Sequence, residues 1–371
     1  MTDLAIIGGG IIGCSAAASA AARGASVRLY EATELGAGAS GRNLGSIQHP
    51  YDAALVPLHT ASIAHYRKLP GFDLPAEPAG VLLLATDPDG LARHADALRE
   101  VAPELDPRLL PADELRALEP SLSPDVAAVR IATGYPVPPH AAVAAYAALA
   151  AARGAQIITG RPAEPWIEGD RCRGVRLADG TTHAADVVLL AAGPWSPGLL
   201  RPAVAEPIRI RRTWGVTLGL ELSDAPTHVL EEEEVGGDEE LGGSFRWSVP
   251  EAGHAVFSLA TAAGRSALGS TFFVEEPDPQ EVAPALVERG ARFVPAVAGA
   301  PILEVRRCGR PQSADGRPFI GPVAGIRGLS VCAGHGPWGI STGPGSAELA
   351  VDAVLGDDRV PSPLRADRYA R

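Results

Sequence analysis

The chain has 371 residues, of which 46% are hydrophobic and 20% charged. That is an ordinary globular composition in a chain longer than one core usually serves, so two interleaved domains are expected. A formal net charge of −12 argues against nucleic acid or an anionic membrane surface as partner, because both attract basic patches. No apolar stretch approaches the length of a membrane span, and the N-terminus lacks a basic-then-apolar signal pattern, its first strand starting at Leu4. Cys14, Cys172, Cys308 and Cys332 have neither disulfide-framework nor metal-type spacing, so no metal site and a cytoplasmic setting are expected.

Leu4-Ala5-Ile6-Ile7 reads as a buried strand, and Gly8-Gly9-Gly10-Ile11-Ile12-Gly13 follows at once. Gly8, Gly10 and Gly13 fit the G-x-G-x-x-G spacing. The first permits a tight turn, the second lets backbone approach a pyrophosphate, and the third lets helix and strand pack closely. An Ala-rich helix over Ile11 to Ala22 stops at Gly24, and a second strand, Ser26 to Tyr30, ends on Glu31. Glu31 stands eighteen residues after Gly13, near the roughly 20 expected for a carboxylate that grips a ribose hydroxyl. Strand, glycines, helix, strand and acid in that order predict a dinucleotide-binding unit, with the helix N-terminus turned to the pyrophosphate.

The Gly/Ser-rich segment Leu35 to Ser46 comes next. It is read as backbone and small side chains laid along a cofactor, with a flexible loop as the alternative. Val81 to Ala85 is a strand, Pro111 to Leu122 holds a short helix, and Ala141 to Arg153 is a second Ala-rich helix before the strand Gln156 to Thr159. Short β segments around Trp166-Ile167 and Val175 to Leu177 lead, through the Asp179-Gly180 turn, to the buried strand of Asp186 to Ala192. Together with the opening unit this predicts one parallel sheet assembled from distant segments. From Ile208 to about Val274 long alternating runs (Ile208 to Leu222, Ser244 to Ser248, Ala255 to Ala260) predict a separate, mainly antiparallel sheet. The acidic run Glu231 to Glu234, with Asp238-Glu239-Glu240, is expected to be a solvated loop, an active-site lid being the alternative. A helix (Pro279 to Arg292), a strand (Leu303 to Arg307), a Gly-rich turn and a helix from Gly339 to Leu355 complete the chain.

Four of these places together resemble the FAD-dependent D-amino-acid oxidase superfamily, in particular its glycine-oxidase and sarcosine-oxidase-like branch. They are the N-terminal fingerprint with Gly38-Ala39-Ser40-Gly41-Arg42-Asn43-Leu44-Gly45; Leu115-Arg116-Ala117-Leu118-Glu119-Pro120-Ser121-Leu122; Ala191-Ala192-Gly193-Pro194-Trp195-Ser196; and the C-terminal block from Gly309-Arg310-Pro311 through Asp315-Gly316-Arg317-Pro318-Phe319-Ile320-Gly321 to Gly334-His335-Gly336-Pro337-Trp338-Gly339-Ile340. The resemblance implies FAD rather than NAD. It implies an α/β, Rossmann-like FAD-binding domain from 1–75, 137–206 and 308–371, interleaved with an α+β substrate domain from 76–136 and 207–307. The implied activity is oxidation of the C–N bond of a small amine or amino acid, by hydride transfer to flavin N5, with O2 or another acceptor taking the electrons. A 2-hydroxy-acid dehydrogenase on the same fold and a flavoprotein subunit of an electron-transfer complex are the alternatives.

By the same resemblance, FAD contacts come from Gly8, Gly10, Ile12, Gly13 and Glu31, from the loop residues Ala39, Ser40, Asn43, Gly45 and Ser46, from Ala192, Gly193 and Trp195, and from Gly334, Gly336, Gly339 and Ile340. Arg310 is the expected anchor of a substrate carboxylate, since a guanidinium suits a planar anion bidentately; an ion pair with an acidic neighbour is the alternative. Related enzymes often carry a second cation after the G-H-G, where this chain has Pro337 and Trp338. That departure leaves room for an amine or a bulkier, more apolar molecule, with Trp338 covering flavin or substrate. Cys308 stands seven residues before Asp315, the spacing at which sarcosine-oxidase-like enzymes carry the cysteine bonded to the flavin. A buried, unreactive thiol is the other reading. His49 is a candidate to accept the amine proton or to hold the ring. At His335 the backbone of the turn is expected to matter more than the imidazole. The last helix is expected to aim its positive N-terminal end at the reduced flavin. Trp214, Phe245 and Trp247 are candidate pocket walls.

Overall fold

A computed structural model describes residues 2–201, 208–233 and 255–369 of the chain. Phe245, Trp247, the strand expected over Ser244 to Ser248, and the acids from Glu234 onward lie outside the described residues.

The opening strand, Thr2–Ile7, is apolar on both faces and takes the centre of a parallel sheet. Its neighbours are Thr182–Leu190 on one side and Val27–Tyr30 on the other. Leu329–Ala333 and Gln156–Ile158 extend the parallel set outward, and Phe319–Pro322 adds an antiparallel edge. Ala163–Glu168 and Arg171–Leu177 run antiparallel off the first half of Thr182–Leu190. The helix Ile11–Ala22 is apolar all round and is accordingly buried, with Ala141–Ala152 and Gly339–Val354 packed against it. Among the described residues no helix is long and apolar enough to cross a membrane.

The second sheet runs Ile302–Ser313, Ile210–Leu220, Arg265–Thr271, Ala255–Ala262, Val229–Glu232, Val81–Ala85, Ala127–Ile131, Arg108–Leu109. Every pairing is antiparallel except that of Val229–Glu232 with Val81–Ala85. Leu218, Leu230, Leu259 and Leu268 share one face, and the amphipathic helix Pro279–Phe293, capped by Asp278, covers it with Leu286 and Phe293. The opposite face is shared. The helix Pro88–Val101 lies over its far end with Leu91, Ala95 and Leu98, while the loop carrying Leu44 and Tyr51 reaches it from the first domain.

Three features depart from the sequence reading. The last strand of the second sheet continues to Ser313, so Cys308 and Arg310 lie on a strand rather than in a turn, and the expected domain boundary at 308 falls within it. The acidic run is no solvated loop where it is described. Glu231 and Glu232 lie on a strand, and Glu232 accepts from both Arg289 (2.6 and 2.9 Å) and the Phe257 amide (2.9 Å). Finally, the helices Val56–Tyr66 and Pro88–Val101 are additions. The second of them had legible signals: an Asp87 cap, Pro88 in the first turn, and the stripe Leu91, Ala95, Leu98.

Candidate active site

Four of the five parallel strands of the first sheet deliver their next residues to the same place. Gly8 follows Thr2–Ile7, Glu31 follows Val27–Tyr30, Ala191 to Gly193 follow Thr182–Leu190, and His335 to Gly336 follow Leu329–Ala333. All of them line one cavity of about 770 Å³ whose opposite wall is the strand carrying Cys308, Gly309, Arg310 and Pro311. This is the carboxyl-end crevice where open α/β sheets bind their ligands.

The nucleotide end is made largely of backbone. Gly8 has φ +115°, and a Cβ there would stand 2.4 Å from the Ala191 carbonyl oxygen. A Cβ on Gly13 would fall 1.9 Å from the Gly8 carbonyl oxygen, so its part is to let the first helix close on the first strand. Glu31 is pinned at the cavity edge: it accepts from the Gly9 amide at 2.7 Å and from the Thr33 amide at 3.0 Å. Ser40 Oγ accepts from the Ile11 amide at 3.0 Å. Asn43 staples its loop, donating to the carbonyls of Ala39 (3.2 Å) and Ser40 (2.8 Å) and accepting from the Gly45 amide (2.8 Å). A bare strand-to-helix turn, helix N-terminal amides and an anchored carboxylate along one continuous cavity fit a dinucleotide such as FAD.

Of the expected cofactor contacts, Gly8, Gly10, Ile12, Glu31, Ala39, Ser40, Asn43, Ala192, Gly193, Trp195, Cys308, Gly336, Gly339 and Ile340 line the cavity. Gly13, Gly45, Ser46 and Gly334 are not among the lining residues. The wall also includes Arg42, Pro162, Ala163, Glu276 and Arg307, to which the sequence reading gave no part in the site. Trp195 and Trp214 lie in the wall, with the Arg212 guanidinium over both rings at 5.1 and 5.3 Å. Arg307 pairs with Glu276 at 2.8 Å. These contacts join segments far apart in the chain and left no local signal.

At the opposite wall Arg310 is half-buried over the Phe272 ring, 4.6 Å from its centroid. It donates to the Thr271 carbonyl at 2.7 Å and to the Ser270 hydroxyl. Among the described residues no carboxylate pairs with it, so the acidic neighbour entertained as the alternative is not seen. Burial raises the Cys308 thiol although Arg310, Arg306 and Arg42 pull it down. His335 is pushed down to about 3 by burial, leaving its imidazole neutral.

Two expected catalytic residues stand outside the wall. His49 donates its amide to Thr133 Oγ1 (2.8 Å), holds Nε2 3.6 Å from Glu104, and meets His59 edge-on at 5.2 Å between ring centroids; burial lowers its pKa. Trp338 meets Tyr51 edge-on at 6.0 Å.

The two family-like motifs away from the cavity have structural work. Glu119 Oε1 accepts from the amides of Thr227 and His228 (both 2.8 Å), from Thr227 Oγ1 and from His228 Nδ1 (both 2.7 Å), tying the helix Ala112–Leu118 to the second sheet. Asp315 accepts from Arg368 and Tyr369 and so clasps the end of the chain.

The glycine oxidase of Geobacillus kaustophilus is 28% identical to this chain over 95% of it and 92% of that protein. The crystal structure of the glycine oxidase from that species matches with a TM-score of 0.78 at 25% identity, covering 95% of this chain and 94% of that one. Glycine oxidase from Bacillus cereus shares the fold, with a TM-score of 0.80 at 24% identity over 96% and 95% of the two chains. Residues 3–353 match the family model described as DAO, FAD dependent oxidoreductase, and the chain belongs to that family.

Proposed function

We propose that this protein oxidises the C–N bond of a small amine or amino acid whose carboxylate is held by Arg310. The observation that carries the reading is a half-buried, desolvated guanidinium in the cavity wall with no carboxylate partner among the described residues. A desolvated cation is costly until an anion joins it, and a substrate carboxylate supplies one with bidentate geometry. The similar glycine oxidases support the same substrate class.

Bound FAD supplies the hydride acceptor, N5 of its ring. Arg310 fixes the substrate's acid end, so the carbon that loses hydride is oriented by one anchored group and the cavity wall. The amine must be neutral for hydride to leave. With His49 held against Glu104 and Thr133, outside the wall, its proton passes to water in this reading. The last helix opens at Gly339 and Ile340 in the cavity wall, where its positive end stabilises negative charge. The product imine hydrolyses in water, and dioxygen takes the electrons. Burial outweighs the three arginines around Cys308 and raises its thiol, which supports FAD held without a covalent bond. All four cysteines are buried thiols, which suits a cytoplasmic setting.

The test is anaerobic mixing of the flavin-loaded protein with amines, amino acids and 2-hydroxy acids, watching the flavin bleach and assaying released ammonia or amine. Bleaching with stoichiometric amine release is expected. Bleaching by 2-hydroxy acids alone would replace this reading with the hydroxy-acid one.

A further inference from the structure

Arg310 does not point straight out from its strand. It stands opposite Thr213 on the neighbouring strand Ile210–Leu220, yet its guanidinium lies over Gly215 and bonds to Ser270 and Thr271 on the strand beyond, Arg265–Thr271. The side chain therefore crosses a whole strand, about 4.8 Å of sheet, before it meets its partners. The residue it crosses has no side chain. A Cβ on Gly215 would stand 2.5 Å from Nη2 and 2.6 Å from both Nη1 and Cζ of Arg310. Near-equal distances to three atoms of a planar group place that group face-on above the glycine.

The backbone gives no reason for a glycine at 215. Its φ lies outside the left-handed region, and it holds regular register with Cys308 across the strand pair. Glycine weakens a strand, and inside one it marks a place where something approaches the backbone closely. Here that something is Arg310. The other sides of the guanidinium are set as well: the Phe272 ring centroid is 4.6 Å from Cζ, the Thr271 carbonyl accepts from Nη1 at 2.7 Å, and the Ser270 hydroxyl accepts from Nη2. Those two bonds leave the remaining N–H donors of the guanidinium for a ligand in the cavity that Arg310 lines. Gly215 is absent from the cavity lining, so it acts on a ligand only through Arg310.

We infer that Gly215 is a positioning residue for the carboxylate anchor: its missing side chain lets the Arg310 guanidinium lie flat on the sheet, which fixes the plane in which a substrate carboxylate is held. This rests on the proposed role of Arg310. A methyl group at 215 needs about 3.5–4.0 Å to those atoms, where the structure leaves 2.5 Å. The guanidinium would be lifted by roughly 1 Å or more, away from Thr271 and Ser270. The obstacle is the end of a flexible side chain rather than backbone, so it can give way without unfolding the sheet. Gly215→Ala should therefore disable the anchor and spare the fold. Gly219, further along the same strand, supplies the control: a Cβ there would stand 2.6 Å from Glu304 Cγ, and neither of those residues lines the cavity.

The test is equilibrium binding of propionate to the flavin-loaded protein, read as perturbation of the flavin spectrum, alongside thermal unfolding. Propionate carries the carboxylate and no amine, so nothing turns over. Gly215→Ala is expected to weaken propionate by roughly tenfold, the loss of one charge-assisted hydrogen bond, at unchanged flavin content and unfolding temperature. Gly219→Ala should bind as the wild type does. In an Arg310→Ala background Gly215→Ala should add no further loss, because the two residues act as one unit. Wild-type affinity in Gly215→Ala, a further loss in the double variant, or a Gly215→Ala protein that does not fold overturns the inference. The anchor is read separately. If Arg310→Ala binds propionate as the wild type does, the carboxylate reading falls and takes this inference with it. If Arg310→Ala weakens propionate and Gly215→Ala does not, the inference alone falls.

Discussion

The two walls of the cavity are built on opposite plans. On the first-domain side the contacts are backbone: glycines without side chains, helix amides, and a single carboxylate pinned by the amides of Gly9 and Thr33. On the second-sheet side they are side chains from neighbouring strands, Trp214 on one and Cys308 and Arg310 on the next, and Arg310 faces no carboxylate among the described residues. A backbone cradle binds the same dinucleotide across a family because every chain presents the same amides. A side-chain face can be re-specified one residue at a time. In the proposed reading the first wall holds the cofactor and the second selects the substrate, so substitutions on the two sides should fail in different ways.

The largest effect is expected at Gly13→Val. The added carbon would lie 1.9 Å from a backbone oxygen, so the first helix must move off the first strand. We expect loss of bound flavin and roughly 3 kcal/mol of stability, read by flavin content and thermal unfolding. Retained flavin at wild-type stability would show that the cradle tolerates what the geometry forbids.

Glu119→Ala should rank next, with no effect on the cavity. It strands the amides of Thr227 and His228 and should cost about 2–3 kcal/mol at unchanged KM. The Glu119 carboxyl sits below its ordinary value of 4.5: burial pushes it up, but the hydrogen bonds from His228 and Thr227 prevail. Its contribution is therefore present above that unfolded value and lost as pH falls through the lower folded one. Acid unfolding of the wild type should flatten in the variant over that window, and an identical acid limb would remove Glu119 from the account.

Arg310→Ala should leave flavin content intact and raise KM for carboxylate substrates far more than for simple amines. Losing charge-assisted hydrogen bonds worth about 2 kcal/mol corresponds to roughly 30-fold in kcat/KM. Equal effects on acids and amines would show that Arg310 supports the wall rather than binding substrate. The smallest change is expected at Cys308. Acid precipitation should release flavin to the supernatant from wild type and Cys308→Ser alike, whereas colour retained in the wild-type pellet and lost from the variant would establish a covalent bond.

The contrast between the walls also explains what could be read early. Gly8, Gly10, Gly13 and Glu31 occupy one stretch of about thirty residues, and local spacing was enough to place them on strand, turn and helix. The Ala-rich helix at 11–22 and the strand at 81–85 agree with the reading residue for residue. The helix Pro88–Val101 had its cap and stripe in plain sight, whereas Val56–Tyr66 has no comparable stripe and is helical because it packs on the last helix. The acidic run shows the limit most sharply. Its composition speaks for solvent, yet Glu231 is taken by Gln48 and Glu232 by Arg289, partners 183 and 57 residues away.

By itself the sequence determined the cofactor class, the presence of two sheets and the candidate anion anchor, because each depends on short-range spacing or on residues that resemble a family in order. Only the tertiary structure decided that Arg310 lies on a strand with no acid beside it among the described residues, that His49 stands outside the wall, and that Gly215 lies beneath the Arg310 guanidinium. Those facts depend on strand register and on which face of a sheet meets which domain. Register across a sheet is set by long-range pairing, so neither local composition nor spacing encodes it.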